Sequence, residues 1–248
     1  MEIPKSHPRY LSLVTREKIV KGVEEGVAVL QGLIAHGRGE AFDYILGEKT
    51  HDFAVEAEKA AVSLLKLAKN PVISVNGNAA SLVPKELAEL SEVLNAPLEV
   101  NVFHYSKERV ERIAKKLEKY GATVYYRGDA TLEGLEHARR IVDSRGIYRA
   151  DAVLVPLEDG DRCEILKKHG KKVAAIDLNP LSRTARMADI TIVNNIVRAI
   201  PEMVEFAEEI DEEEARKILE RFDNKVVLKR AIETIRDYLT KMAEEVMK

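Results

Sequence analysis

Six short apolar runs punctuate the middle of the chain: PVISV (71–75), PLEVNVF (97–103), ATVYY (122–126), AVLVP (152–156), KVAAI (172–176) and ITIV (190–193). Segments with helical spacing separate most of them, at 84–94, 107–120, 132–142 and 163–169. Near-continuous apolar runs mark strands covered on both faces, and strands alternating with helices mark a parallel sheet. The pattern predicts an α/β, Rossmann-like, doubly wound and mostly parallel six-stranded sheet, with strand order 3-2-1-4-5-6. Residues 71–200 form this core. A helical part precedes it (1–70) and another follows it (201–248), the whole reading as one domain over 1–248.

That architecture dictates where a ligand sits: outside the carboxyl ends of the strands, near the point where strand order reverses. The residues expected there are Asn76-Gly77-Asn78, His104, the acidic turn Glu158-Asp159-Gly160-Asp161, Asp177-Leu178-Asn179 and Asn194-Asn195. An aspartate just after a strand can accept both hydroxyls of a ribose, and asparagine amides can read a base edge or hold a carboxylate. Plainer readings stand beside these. Asn195 also suits a helix N-cap, Asn76 and Asn78 suit a turn, and His104 suits a loop. The acidic turn suits either Mg²⁺ or solvent, and Cys163 suits packing.

Three arginines add a second signal. Thr15 reads as the N-cap of a helix running to about Ala35, which puts Arg16 at its start. Arg38 lies between two glycines in HGRGE, ahead of a further short helix, AFDYILGE. Arg183 follows Asn179-Pro180, an N-cap and first-position pair that opens a helix. Cations at helix starts oppose the dipole by ~0.3–1 kcal/mol unless an anion joins them, so together the three point to a polyphosphate. Neither a P-loop nor the three-glycine dinucleotide fingerprint occurs, so a nucleotide would bind by another route.

The flanking parts read as helices. Residues 51–69 carry Ala57, Ala61, Leu64, Leu65 and Ala68 on one face. The C-terminal part reads as Ile196 to about Ile210 with a break near Pro201, then Glu212–Phe222, then Lys225 onward. In that last helix Leu228, Ile232, Ile235, Leu239, Met242 and Val246 form a heptad-like seam, suited to a subunit interface or to docking on the chain's own core. Pro4 and Pro8 keep the N-terminus extended. A net charge of −3 with both signs interspersed argues against nucleic acid as the main partner. No apolar stretch is long enough to span a bilayer, and MEIPKSHPRY is no signal peptide. One cysteine excludes an intrachain disulfide and a cysteine-rich zinc site. Lys/Glu-rich, cysteine-poor composition follows the tendency of cytoplasmic proteins from thermophiles.

The segments SHPRYLSL, HGRGEAFDYILGE, VNGN, DLNPLSRTA and NNIVRAIP resemble the archaeal phosphopantothenate synthetase family, the 4-phosphopantoate–β-alanine ligases, over essentially the whole chain. The resemblance implies ATP-dependent ligation of 4-phosphopantoate and β-alanine to 4′-phosphopantothenate in coenzyme A biosynthesis. AMP and diphosphate would be released through an acyl-adenylate, by a homodimer. It places ATP contacts on Arg16, Arg38, Asp177, Leu178, Asn179, Arg183, Thr184, Asn195 and Ile196. Arg38 and Arg183, with Mg²⁺, are expected to stabilise charge at the α-phosphate. Arg9, His36, Asn76, Asn78 and His104 are expected to hold the acid substrate, and metal ligands are left unassigned. The rival reading is a nucleotide- or NAD/FAD-binding module without ligase chemistry, since a strand-end acid also meets adenosine in such domains.

Overall fold

Each of the six apolar runs forms a strand in the computed structural model, which describes residues 3–7, 9–156 and 160–247. Pro8 and the Glu158 and Asp159 of the acidic turn lie outside the described residues. The strands are β1 (Pro71–Val75), β2 (Leu98–Val100), β3 (Val124–Tyr125), β4 (Ala152–Pro156), β5 (Lys172–Ile176) and β6 (Ile190–Ile192). They pair in parallel throughout, in the order 3-2-1-4-5-6 expected from the alternation. Successive strand residues serve opposite faces. Leu154, Ala174 and Ile176 enter one core; Val153, Val155, Val173 and Ala175 enter the other. Cys163 is buried in the second core, as packing requires.

The helices are α1 (Tyr10–Glu24), α2 (Leu30–Ile45), α3 (Asp52–Leu67), α4 (Gly77–Leu82), α5 (Pro84–Val93), α6 (Lys107–Glu118), α7 (Gly160–Lys168), α8 (Arg183–Met187), α9 (Ile196–Glu209), α10 (Glu212–Arg221) and α11 (Asn224–Val246). Four differ from expectation. In place of one helix from Thr15 to Ala35 there are two, and Thr15 is buried inside α1, its hydroxyl bonded back to the Leu11 carbonyl at 2.7 Å. The interruption is Gly26 at φ +68°. Val27 N–H donates to the Gly22 carbonyl (2.8 Å) and Gly26 N–H to Val23 (3.0 Å), a Schellman stop. Consequently α2 starts eight residues before Arg38, and HGRGE is mid-helix rather than a glycine loop.

Asn179 likewise opens no helix. It makes a local turn, accepting from Leu181 N–H at 2.9 Å, and Ser182 caps α8 by accepting from Ala185 N–H. The expected break at Pro201 is absent, because α9 continues through it with Met203 and Ala207 packed in the core. The largest departure is 132–142. It forms an antiparallel ribbon of Ala130–Thr131 with Ile141–Val142 and a 3-10 turn at Ala138–Arg140. Gly134 at φ +92° breaks helical continuity there. Asn101, just past β2, donates from Nδ2 to the carbonyls of Arg139 (3.2 Å) and Ile141 (2.9 Å), and so ties the ribbon to the sheet. Glu99 on β2 accepts from the N–H groups of Asp143 (3.0 Å) and Ile147 (2.5 Å); burial pushes its carboxyl up to about 8.

Of the seam on α11, Leu228 and Ile235 pack on the chain's own core, whereas Ile232, Leu239 and Val246 are exposed. Among the described residues no helix is long and apolar enough to cross a membrane.

Candidate functional site

A cleft of about 430 Å³ opens along the carboxyl ends of the strands. Asn76 marks its middle: Nδ2 donates to the Pro156 carbonyl at 2.9 Å, bridging the ends of β1 and β4, the two strands between which the order reverses. Its Oδ1 accepts from Ala79 N–H at 3.0 Å and caps α4. Asn76 therefore does build the turn while also lining the cleft. Asn78 is buried, lines the cleft and donates to the Gly32 carbonyl at 2.8 Å. A Cβ on Gly32 would collide with that amide, so only glycine lets α2 approach so closely.

On one side of Asn76 lies the turn after β5. Asp177 accepts from Asn179 N–H (2.9 Å) and from the Ser182 hydroxyl (2.5 Å). Burial raises its carboxyl above the usual aspartate range, and the two hydrogen bonds pull it partly back. Leu178, Asn179, Ser182 and Thr184 complete this half. The other side is formed by Gly77, Val102, Phe103, His104, Arg109 and Arg139. His104 is exposed; its backbone carbonyl accepts from Arg109 Nη1 at 2.7 Å. The wall facing both halves is α2, through Gln31, Ala35, Arg38, Gly39 and Phe42. Arg38 is exposed, mid-helix, and reaches the cleft from that wall.

A second cavity of about 160 Å³ adjoins another face of α2, through His36, Glu40 and Asp43, with Arg9, Asn195 and Arg198 opposite. Its buried carboxylate, Asp43, has a cation. Arg198 grips Asp43 through Nη2 (2.5 Å) and Nη1 (3.2 Å), and Asn195 Nδ2 donates to the same carboxylate at 2.8 Å. Asn195 also caps α9, accepting from Val197 N–H at 3.2 Å. Arg9 donates to the Tyr44 hydroxyl. Burial lowers the His36 imidazole below its usual value, and its Nε2 is enclosed without a hydrogen-bond partner among the described residues.

The structure thus splits the residues singled out in the sequence. Arg38, Asn76, Asn78, His104, Asp177, Leu178, Asn179 and Thr184 meet in the cleft; Arg9, His36 and Asn195 meet in the smaller cavity. Arg16 lies mid-α1, its Nε 3.0 and 3.1 Å from the Glu40 carboxylate oxygens. Ile196 is buried in the core at the start of α9. Arg183 opens α8, so of the three arginines expected at helix starts only this one is there. It is exposed and held by Asp161 and by Glu164 (2.5 Å). Arg109, Arg139 and Ser182 are lining residues that sequence reasoning missed. Ser182 was legible, since Ser-x-x at a helix start is a capping signal. The two arginines were not, because nothing local distinguishes them from surface cations. Among the described residues no three His, Cys, Asp or Glu side chains gather as a metal site.

Comparison with known proteins matches residues 53–238 to the family described as phosphopantothenate/pantothenate synthetase. The chain is similar to the 4-phosphopantoate–β-alanine ligase of Thermococcus kodakarensis, 56% identical, covering 99% of this chain and 96% of that one. It is similar to the same-named proteins of Thermococcus onnurineus (55%; 98% and 96% covered) and Methanosarcina mazei (51%; 98% of each).

Proposed function

The chain belongs to the phosphopantothenate/pantothenate synthetase family, and from that premise we propose that it ligates 4-phosphopantoate to β-alanine at the expense of ATP. The observation that carries the reading is the cleft itself. It straddles the reversal of strand order, with a ribose-type acid, Asp177, on one side and cations on the other.

A carboxylate is a poor electrophile, so it is first adenylated. One of its oxygens attacks the α-phosphorus of ATP, the bond to the β-phosphate oxygen breaks, and diphosphate leaves. The deprotonated amine of β-alanine then attacks the acyl carbon; the bond to AMP breaks and the nitrogen loses a proton to solvent as the amide forms. Asp177 holds the ribose hydroxyls, with Asn179 and Thr184 beside it. Arg38 meets the phosphates from α2, where a fixed cation stabilises charge that develops in the transition state. Arg183 joins it by exchanging Asp161 and Glu164 for phosphate oxygens. Mg²⁺ would come with the nucleotide and supply further charge stabilisation at the phosphates, which needs few protein ligands. Homodimer formation, a cytoplasmic setting and a place in coenzyme A biosynthesis belong to the same proposal.

The test is AMP release from ATP with each co-substrate omitted in turn. Release that requires both the phosphorylated acid and β-alanine supports the ligase; tight NAD or FAD binding with no AMP would replace it by a binding module.

A further inference from the structure

We infer that Phe103, just past β2, is a specificity-determining residue of the cleft: its ring receives the two methyl groups on the branched carbon of the acid substrate. The inference rests on the ligase reading for the identity of that acid, and on geometry for the place of the ring.

Of the five phenylalanines Phe103 is the exposed one, 46% accessible, and it lines the cleft. Exposed tyrosines such as Tyr105 and Tyr148 present a hydroxyl to water; a phenylalanine has no polar atom that gains from it. Nor is the ring there because its loop is loose. Before it, Val102 is buried, and Asn101 Nδ2 ties the chain to the carbonyls of Arg139 (3.2 Å) and Ile141 (2.9 Å). After it, the His104 carbonyl accepts from Arg109 Nη1 at 2.7 Å. Two imidazoles brace the ring itself. His104 meets it edge-on, with centroids 5.2 Å apart and planes at 68°, and His137 lies tilted against it at 5.0 Å and 33°. An apolar ring fixed in place but left uncovered is unfavourable in the empty protein, and an apolar group laid on it recovers part of that cost. Fixing the ring beforehand also lowers the ordering cost of binding.

Position and chemistry together select the group that covers it. The nucleotide's ribose sits at Asp177, at the β5 end. The carboxylate of the acid must meet the α-phosphate inside the same cleft, so the remaining atoms of the acid extend toward β1 and β2, where Phe103 lies. In 4-phosphopantoate the carboxylate, hydroxyl and phosphate seek polar partners. The carbon between them, with its two methyl groups, is the apolar part of the molecule. Among the described residues of that half, His104, Arg109 and Arg139 offer polar groups, Val102 is buried, and Phe103 is the large apolar surface in reach. A straight-chain acid with the same charged ends would leave the ring uncovered. Hydrophobic pockets sort ligands by such methyl groups, each by a modest factor.

The experiment titrates 4-phosphopantoate, and its analogue with hydrogens in place of the two methyl groups, into the full-length protein and into Phe103→Ala and Phe103→Leu by calorimetry, with ATP as a control and AMP release measured alongside. Burying one methyl group is worth about fourfold in affinity, so the native protein should prefer the dimethyl acid by about tenfold. In Phe103→Ala that preference should shrink to about threefold or less, through weaker binding of the dimethyl acid, with affinity for the analogue and for ATP unchanged. Phe103→Leu, still apolar, should recover part of it. An undiminished preference in Phe103→Ala overturns the inference, as does an equal loss for both acids, since the ring would then not be sensing the methyl groups. Should Phe103→Ala fail to fold, Phe103→Gln is read in its place; it keeps bulk and loses the apolar face, so a reduced preference supports the assignment and a full one overturns it. The two readings fail separately. A protein whose preference depends on Phe103 but that forms no AMP refutes the ligase and keeps the inference. One that ligates normally with the same preference in every variant keeps the ligase and refutes the inference.

Discussion

The two cavities along α2 carry opposite electrostatics. Among the described residues, the cleft over the strand ends is lined by Arg38, Arg109 and Arg139 and by the carboxylate of Asp177. The smaller cavity is lined by Arg9 and Arg198 against Glu40, Asp43 and Glu48. Number of arginines alone would not separate them. What separates them is the partner set: in the smaller cavity Arg198 is spent on Asp43, and nearby Arg16 on Glu40, so the cations stabilise the fold. In the cleft Arg109 donates instead to neutral carbonyls, those of Val27 and His104. A cation tied to a buried carboxylate contributes to stability; one tied to a carbonyl is positioned for an incoming anion.

The strongest way to break this contrast is Arg198→Ala. It leaves the Asp43 carboxylate buried without its cation, and breaking such a pair typically costs about 3–5 kcal/mol. Urea unfolding should register the loss. A variant of normal stability that no longer binds ATP would make the smaller cavity a ligand site instead. Next comes Arg38→Ala. The side chain is exposed, so the melting temperature should hold, while kcat/KM falls by ~1.5–3 kcal/mol in transition-state terms, roughly ten- to a hundredfold. Unchanged kinetics would remove Arg38 from the phosphate role.

The third prediction concerns protons behind the smaller cavity. Glu58 is fully buried, accepts from Asn194 Nδ2 at 2.8 Å, and is pushed up to about 9, by burial first and by Glu202 in addition. Its folded pKa lies above the ordinary 4.5, so the native state binds the extra proton between those values. The stabilisation is whole below about 4.5 and is lost as pH rises toward 9, with a slope of up to ~1.4 kcal/mol per pH unit from this one group. Glu58→Gln should flatten the corresponding part of the stability–pH curve; an identical slope in the variant would show that the carboxyl is ionised in the native state. The smallest effect is expected at Ser182→Ala. Loss of the α8 cap should cost about 1 kcal/mol of stability. The freed Asp177 oxygen should leave ATP affinity within a few fold; an abolished affinity would make Ser182 part of the nucleotide site itself.

Much of the site was legible residue by residue. Asp177 and Asn76 follow strands whose ends are set by apolar runs, so their presence at the cleft follows from the α/β alternation. Arg38 was legible as a ligand-facing cation for a reason that does not hold: HGRGE is not a loop, and Arg38 reaches the cleft from mid-helix because of its face on α2. The Gly26 stop after Glu24-Glu25 was a readable signal, and reading it would have placed both helices correctly. Arg109 and Arg139 were not readable. Their meaning depends on the carbonyls of Val27 and His104 and on the tether from Asn101, contacts that span tens of residues.

By itself, then, the sequence determined the six strands and their parallel pairing, because these depend on patterns a few residues long; the order 3-2-1-4-5-6 was the default of the doubly wound class, and the structure has it. It also determined that Cys163 packs and that Asp177 ends a strand. Tertiary structure decided that 132–142 becomes a ribbon instead of a helix, since Asn101 binds that stretch to the sheet and Glu99 binds the residues that follow it. It alone decided which arginines pair with Asp43 and Glu40 and which line the cleft. Helical spacing is a property of one segment; the charge that an arginine keeps is a property of what the fold brings beside it.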